Sequence, residues 1–105
     1  PLPEIPPRCS ACQGLLRPGV VWFGEMLPPS ALESAQAAAE ACELFLVAGT
    51  SGTVYPAAGL VEIAARHGAA TIEANLEPTP LSGTVDWPLL GKSGEILPAL
   101  IEALN

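Results

Sequence analysis

The sequence predicts an α/β fold, a partial Rossmann-like parallel sheet with flanking helices. Short, mostly apolar runs of strand length occupy residues 44–48 and 69–74. Runs of this kind are typical of strands covered on both faces of a parallel sheet. Segments with helical periodicity alternate with them, which indicates parallel strands joined by crossovers. With 105 residues, half of them hydrophobic, the chain suffices for one small domain or for a portion of a larger one.

Two helices are predicted in the middle of the chain. In the first, over residues 30–42, Ser30 stands three residues before Glu33, the spacing of a capping box. The predicted apolar stripe of this helix is Leu32, Ala35, Ala39 and Cys42. The second helix is predicted from Pro56, a residue suited to the first helical position, to a stop at Gly68. Its predicted stripe is Leu60, Val61, Ala64 and Ala65.

Further elements are predicted on either side of these helices. Residues 20–25 (VVWFGE) are β-branched and aromatic and lie between proline and glycine, which predicts a strand. Residues 86–87 predict a last short strand. After residues 91–94 a terminal helix is predicted. Pro98 is compatible with that helix only near its start, because proline lacks the N–H group that a helix interior uses. The helix has a predicted stripe of Ile96, Leu97, Leu100, Ile101 and Leu104.

Charge and composition exclude some functions. The net charge is −7 and only four residues are Lys or Arg, which argues against a nucleic-acid-binding surface. No apolar run is long enough to cross a membrane, and no signal peptide opens the chain. We therefore expect a cytoplasmic protein without a membrane partner. The chain begins at Pro1 on a proline-rich connector (PLPEIPP) rather than at methionine, so we expect preceding residues to belong to it.

Polar residues follow each predicted strand, and ligands of open parallel sheets bind at the carboxyl ends of the strands. Gly49, Thr50 and Ser51 combine glycine flexibility with two hydroxyl groups, which suits phosphate or ribose. Asn75 and Glu77 follow the next strand and have side chains that can bind ribose hydroxyls. Residues 91–94 form a third polar loop. Each signal is weak alone, since a Gly-Thr-Ser segment is more often only a turn.

The cysteines allow several interpretations. Cys9 and Cys12 have the C-x-x-C spacing of a zinc knuckle. A structural zinc ion needs four ligands, so this hypothesis requires another cysteine pair from outside the chain. A redox pair and an accidental spacing are the alternatives. Cys42 lies among apolar residues and is predicted to be a buried small hydrophobic residue.

His67 is the single histidine, and we reject it as a general base. It falls in the last turn of the second predicted helix, beside Arg66 and before Gly68. A helix of this kind ends at the edge of the sheet opposite the carboxyl ends of the strands. His67 is therefore predicted to be a surface or capping residue.

Five blocks taken together resemble the C-terminal half of a sirtuin, in order and spacing. They are CSACQG, LRPGVVWFGEMLP, LFLVAGTSGTVYPAAGL, NLEPTP and GKSGEILPAL, and the match to which they belong extends over nearly the whole chain from Arg8 onward. The resemblance implies an NAD-dependent protein-lysine deacylase, with NAD and a structural zinc as cofactors and acylated lysine peptides or proteins as substrates. Trp22 and the Tyr-Pro-Ala-Ala segment resemble the class that removes succinyl and malonyl groups.

The resemblance also implies roles for individual residues. It divides the chain into a remnant of a zinc-binding module with its connector, residues 1–19, and the C-terminal portion of a Rossmann-like NAD-binding domain, residues 20–105. The implied cofactor residues are Gly49, Thr50 and Ser51 at phosphate and ribose, Asn75, Leu76 and Glu77 at the adenosine ribose, and Ser93 at adenine. The implied peptide-pairing residues are Val21, Phe23, Gly24 and Glu25, and the implied zinc ligands are Cys9 and Cys12.

The resemblance finally implies what these residues lack. The family's catalytic histidine, its glycine-rich cofactor motif and its first zinc cysteines precede the matched part. We therefore expect that this chain contains no catalytic residue and is inactive alone. The alternative is a non-catalytic nucleotide-binding or interaction module. An incomplete sheet leaves an apolar edge uncovered, so we also expect self-association or pairing with the missing segment.

Overall fold

The computed structural model describes residues 5–103. The predicted connector at residues 1–4 and Leu104 of the last stripe lie outside the described residues. Three parallel strands form one sheet in the order β1-β2-β3, which confirms the predicted α/β class with a parallel sheet. The strands are β1 (Leu44–Ala48), β2 (Ala70–Asn75) and β3 (Trp87–Leu90), and the helices are α1 (Pro29–Ala41), α2 (Leu60–Arg66) and α3 (Ser93–Ala103), with a short 3-10 turn (Ala57–Gly59) before α2.

Helix α1 begins differently from the prediction. It starts at Pro29, with Pro28 at the N-cap and no side-chain capping hydrogen bond, so the capping box at Ser30 and Glu33 is wrong. Proline is preorganised for the first helical position and has no N–H group to satisfy, which removes the need for a side-chain cap. The predicted stripe of α1 is confirmed, since its members are the four residues from 30 to 42 that are not fully exposed.

Small side chains form the centre of the core. Ala39, Ala64 and Ala69 are at most 6% exposed and pack together, with Phe45 and Ile63 against them. Alanine side chains let α1 lie close to α2, and α2 close to the sheet. One member of the predicted α2 stripe is wrong, because Ala65 is exposed and Ile63 is half-buried instead.

The strands differ in burial. The central strand β2 is buried from Thr71 to Ala74, as predicted. Burial of β1 on both faces is wrong, because Leu44 is 47% exposed and Leu46 is 44% exposed. The Glu43 carbonyl accepts a hydrogen bond from Ala70 N–H, so Glu43 points its backbone groups toward β2. In a parallel strand every second residue bonds the same neighbouring strand. The backbone amides of Leu44, Leu46 and Ala48 therefore face away from β2, toward the free edge of β1. The predicted uncovered apolar edge is thus present among the described residues.

The last elements depart in detail from the prediction. Strand β3 covers Trp87–Leu90, so it begins one residue later than predicted and is longer. Helix α3 contains Pro98 at its sixth position rather than near its start, and none of its described residues is buried. An exposed helix tolerates the lost hydrogen bond because water can reach the carbonyl group left free.

None of the helices built from residues 5–103 is long and apolar enough to cross a membrane.

Asp86 connects β3 to β2, a link that sequence patterns did not predict. Its Oδ2 accepts hydrogen bonds from the Thr71 backbone N–H at 2.8 Å and from the Thr71 hydroxyl at 2.9 Å. These bonds, the backbone one first, lower the pKa of Asp86 below its ordinary value of 3.8. The charged form is therefore favoured by folding, and Asp86 anchors β3 at the start of the strand.

This link predicts part of the acid sensitivity of the fold. Because the folded-state pKa of Asp86 is lowered, its stabilisation is present above the unfolded pKa and is lost as the pH falls through the folded value. In Asp86→Asn, the urea midpoint should fall less between about pH 6 and about pH 3 than in the unmodified chain. Glu43→Gln, at an exposed position, is the control. Identical pH profiles for Asp86→Asn and the unmodified chain would contradict the prediction.

Candidate functional site

Three loops meet at the carboxyl edge of the sheet, as predicted. Gly49 N–H bonds the Ala74 carbonyl at 3.0 Å, and Gly91 N–H bonds the Asn75 carbonyl at 2.9 Å. The Asn75 amide donates to the Thr50 carbonyl at 2.6 Å. These bonds join the ends of all three strands, so the predicted cofactor-binding residues lie on one continuous edge.

The loop after β1 is open toward solvent. Gly49 has a φ of +64°, and a Cβ atom there would meet nothing within 4 Å. The hydroxyl groups of Ser51 and Thr53 are hydrogen-bonded at 2.9 Å, and the Thr50 hydroxyl accepts a bond from Gly52 N–H at 3.4 Å. The loop thus combines hydroxyl groups with a backbone that a ligand can approach closely, which suits phosphate and ribose.

The other two loops contribute different groups. Asn75 uses its side chain within the protein, because its Oδ1 also accepts from Leu76 N–H at 2.9 Å. Leu76 and Glu77 are exposed beyond it. Ser93 is the first residue of α3 and follows β3 after two loop residues, and the positive end of the helix dipole there favours anionic or polar groups. Asn75 therefore orders the edge, whereas Glu77 and Ser93 remain accessible from it.

The predicted strand at residues 20–25 is wrong. The segment forms a turn closed by Glu25 N–H on the Trp22 carbonyl at 3.0 Å, with Gly24 at a φ of +87°. A strand needs a neighbour for its backbone groups, and no strand pairs with this segment among residues 5–103. Val21, Gly24 and Glu25 are exposed, and Phe23 is 92% exposed at the tip of the turn.

An apolar groove of about 640 Å³ lies between this turn and the start of the second helical segment. Residues 21–27 form one wall, and residues 54–57 with Leu32 form the other. Val54 is 48% exposed and Tyr55 is 67% exposed, so the groove presents apolar surface to solvent. Sequence patterns did not predict Val54 and Leu32 as groove residues, because the groove joins segments about 30 residues apart in the chain.

Glu25 stands at the rim of the groove and is ion-paired. Its carboxylate binds Arg17 through two contacts, Oε1 to Nη1 at 2.6 Å and Oε2 to Nη2 at 2.9 Å. The bond from Arg17 first, and then the one from Trp22 N–H, lower the pKa of Glu25 below its ordinary 4.5. Glu25 is therefore ionised and positioned rather than free to act as an acid.

Cys9 and Cys12 lie on a tight knuckle with free thiols. Gln13 N–H bonds the Cys9 carbonyl at 2.8 Å, and Cys9 N–H bonds the Gly14 carbonyl at 2.8 Å. Backbone N–H groups of Cys12, and next of Ala11, lower the pKa of the Cys9 thiol. A stabilised thiolate suits metal binding. In the part of the chain that the structure describes, however, no group of three or more metal-ligating side chains comes together.

His67 is placed as predicted. It caps the C-terminus of α2, where its Nδ1 lies 2.9 Å from the Ile63 carbonyl, and its side chain is exposed. Helix α2 leads into the amino end of β2, so His67 lies at the edge of the sheet opposite the three loops. It belongs to neither the loop edge nor the groove.

Comparison with known proteins agrees with this geometry. The model of the Sir2 family matches residues 2–56. An NAD-dependent protein deacylase from Aquifex aeolicus is 56% identical over 105 residues, which is all of this chain and 44% of that protein. NAD-dependent protein deacylase 2 from Pyrobaculum aerophilum is 48% identical over the same length, 42% of that protein. The chain thus spans roughly two fifths of the length of these relatives.

Solved structures agree in fold. A Sir2 homolog in complex with NAD superposes with a TM-score of 0.87 and 48% identity, covering 96% of this chain and 40% of its own. A Sir2 structure with a p53 peptide and NAD+ has a TM-score of 0.82 and 34% identity, covering 96% of this chain and 42% of its own. Since the family model matches more than half of its residues and the fold agrees over nearly its whole length, this chain belongs to the Sir2 family, the sirtuins.

Proposed function

We propose that this chain is the NAD- and peptide-binding platform of a protein-lysine deacylase. The observation that supports this most is the meeting of three strand-end loops on one edge of the sheet, with an apolar groove in the same chain. Relatives named NAD-dependent protein deacylase, and relatives solved with NAD and with a peptide, support the same cofactor and substrate class. The catalytic histidine would come from outside these 105 residues, since the relatives are more than twice as long.

On this proposal the loop edge binds NAD. The open backbone at Gly49 and the hydroxyl groups of Thr50 and Ser51 bind phosphate and ribose. Leu76 and Glu77 contact the adenosine ribose, and Ser93 contacts adenine, while Asn75 holds the first two loops together. When bound, NAD would supply an electrophilic ribose carbon with nicotinamide as its leaving group.

The groove binds the acylated peptide. An extended peptide lies against the turn at the exposed residues Val21, Gly24 and Glu25 and bonds the backbone groups that the turn leaves free, so that main-chain bonds supply affinity. Phe23, 92% exposed, packs against the aliphatic stem of the acyl-lysine. The preference for acidic acyl groups stays a prediction from the sequence around Trp22.

A structural zinc ion is part of the proposal. Cys9 and Cys12 supply two thiolate ligands on a knuckle whose backbone already stabilises the Cys9 thiolate. A tetrahedral site needs two more ligands, which we assign to cysteines outside this chain. Residues 1–19 are then half of a zinc-binding module, and residues 20–105 are part of the NAD-binding domain.

A chimera tests the function directly. The C-terminal part of the Aquifex aeolicus deacylase that this chain matches is replaced with these 105 residues. The chimera should release nicotinamide from NAD when an acetylated or succinylated lysine peptide is present, and not without it. Asn75→Ala, which removes the bond to the Thr50 carbonyl, should raise the KM for NAD by about 3- to 10-fold, the effect of one hydrogen bond.

Gln36→Ala is the matched control, because it removes an amide that bonds only Glu40 on the exposed face of α1. A folded chimera that binds NAD but never releases nicotinamide would refute the deacylase proposal in favour of a non-catalytic module. Calorimetry of the 105-residue chain with NAD further distinguishes a portion of a deacylase from a non-catalytic nucleotide-binding module. Micromolar binding of NAD by the chain alone favours the module. Sedimentation of the same sample should show association through the β1 edge, and a monodisperse monomer would contradict that expectation.

A further inference from the structure

The turn that carries Phe23 has almost no packing of its own. Phe23 is 92% exposed and Met26 is 89% exposed, and a Cβ atom at Gly24 would meet nothing within 4 Å. A single backbone bond, from Glu25 N–H to the Trp22 carbonyl, closes the turn. Without the support of a core, a segment of this kind is expected to open readily, so its order must come from other contacts.

Arg17 supplies those contacts from outside the turn. Its guanidinium binds both carboxylate oxygens of Glu25, and its Nη2 also donates to the Val20 carbonyl at 3.0 Å. The same group lies over the ring of Trp22, with 4.1 Å from Cζ to the ring centroid. Glu25 Oε2 in turn accepts from Trp22 N–H at 3.0 Å. One planar cation thus contacts both end residues of the turn, Trp22 and Glu25, and the carbonyl of Val20, two residues before it.

We propose that Arg17 is a positioning residue that holds the residue 22–25 turn in the shape that binds peptide, acting through Glu25 and Trp22. This rests on the proposed function of the groove. An exposed ion pair adds little to global stability, and here the side chains of Arg17 and Glu25 are 47% and 40% exposed. Its effect is local: the bidentate contact and the ring stack select one conformation of a turn that has little else to order it.

The consequence for binding follows from the population of the ordered turn. When only a fraction of molecules has the competent conformation, the apparent dissociation constant rises by the inverse of that fraction. If Arg17→Ala leaves the turn ordered in roughly a tenth of molecules, peptide binding weakens about tenfold. Lysine at this position keeps the charge but has neither the fork nor the planar group, so Arg17→Lys recovers little of the loss.

Fluorescence of Trp22 tests the local order without any assumption about function. A Trp87→Phe background leaves Trp22 as the one emitting indole of the chain. Arg17→Ala in this background should increase quenching of Trp22 by acrylamide, a neutral quencher insensitive to the charge change, while the urea midpoint stays unchanged. Arg66→Ala, an exposed arginine at the end of α2, is the control. Unchanged quenching in Arg17→Ala, or a fall in the midpoint, would overturn the proposal.

Kinetics of the chimera test the effect on peptide. Arg17→Ala and Glu25→Gln should each raise the KM for the acylated peptide by about 3- to 10-fold, with the KM for NAD and kcat unchanged. Arg66→Ala should change none of the three. An active chimera whose peptide KM is insensitive to Arg17→Ala, or whose NAD KM rises equally, would overturn the positioning role. A folded chimera that binds NAD but stays inactive would instead refute the proposed function, and the fluorescence result alone would then decide the role of Arg17.

Discussion

Replacing Gly52 with alanine should destabilise the fold by about 2–4 kcal/mol, the range expected for overpacking combined with a left-handed backbone. The new Cβ would lie 2.6 Å from Leu81 Cγ and closer still to Cδ1. Leu81 is 8% exposed and cannot swing into solvent without losing its burial. Gly52 also has a φ of +64°, which alanine adopts at a cost. The expected result is a lower urea midpoint, followed by circular dichroism.

The chain offers a control that separates the two causes. Gly49 has the same φ of +64°, but a Cβ atom there meets nothing within 4 Å. Gly49→Ala should therefore show only the backbone cost, about 1 kcal/mol. Leu81→Ala combined with Gly52→Ala should cost less than the sum of the single changes, because the smaller side chain removes the clash. Equal losses for Gly49→Ala and Gly52→Ala would contradict the steric explanation.

Replacing Glu73 with alanine should cost about 2–4 kcal/mol, since it leaves a cavity and removes the acceptor of two hydrogen bonds. Glu73 is 1% exposed in the middle of β2. Its Oε1 accepts from the Thr79 hydroxyl and its Oε2 from the Ser82 hydroxyl. The same two residues close their own turn, where Thr79 N–H bonds Ser82 Oγ at 2.9 Å. The measurement is the free energy of unfolding from urea titration.

Two further variants identify the cause of this loss. Glu73→Gln keeps the size and one acceptor oxygen, so it should cost less than half as much as the alanine variant. Glu43→Ala removes an exposed carboxylate just before β1 and should change stability by less than about 0.5 kcal/mol. If Glu73→Ala were as mild as Glu43→Ala, the network around Glu73 would not support the fold.

Gly52 and Glu73 are linked by packing beneath the loop edge. Glu73 holds the turn of residues 79–82, and Leu81 of that turn packs beneath Gly52 in the proposed NAD loop. Disturbing Glu73 should therefore reach the loop edge through Leu81. Glu73, through its hydroxyl partners, thus orders from within the sheet the turn that supports the proposed NAD loop, as groups beneath ligand sites commonly do.

Local sequence patterns correctly predicted those structural features that depend mainly on residues close together in the sequence. The positions of β1 and β2, the α1 stripe and the capping role of His67 were predicted because periodicity and termination signals act over one or two helical turns. The meeting of the three loops was also predictable, since parallel strands direct their carboxyl ends to the same edge. Family resemblance added the expected cofactor and substrate.

Only the tertiary structure decided features that depend on distant partners. The VVWFGE segment has strand propensity, yet it forms a turn, because no strand within residues 5–103 pairs with its backbone. The Arg17 guanidinium binds the Glu25 carboxylate at the end of that turn. The exposure of β1, the Asp86 link to Thr71 and the Glu73 network each join residues that no periodicity relates. Propensity is a property of a few adjacent residues, whereas burial and pairing depend on what the rest of the chain brings alongside them.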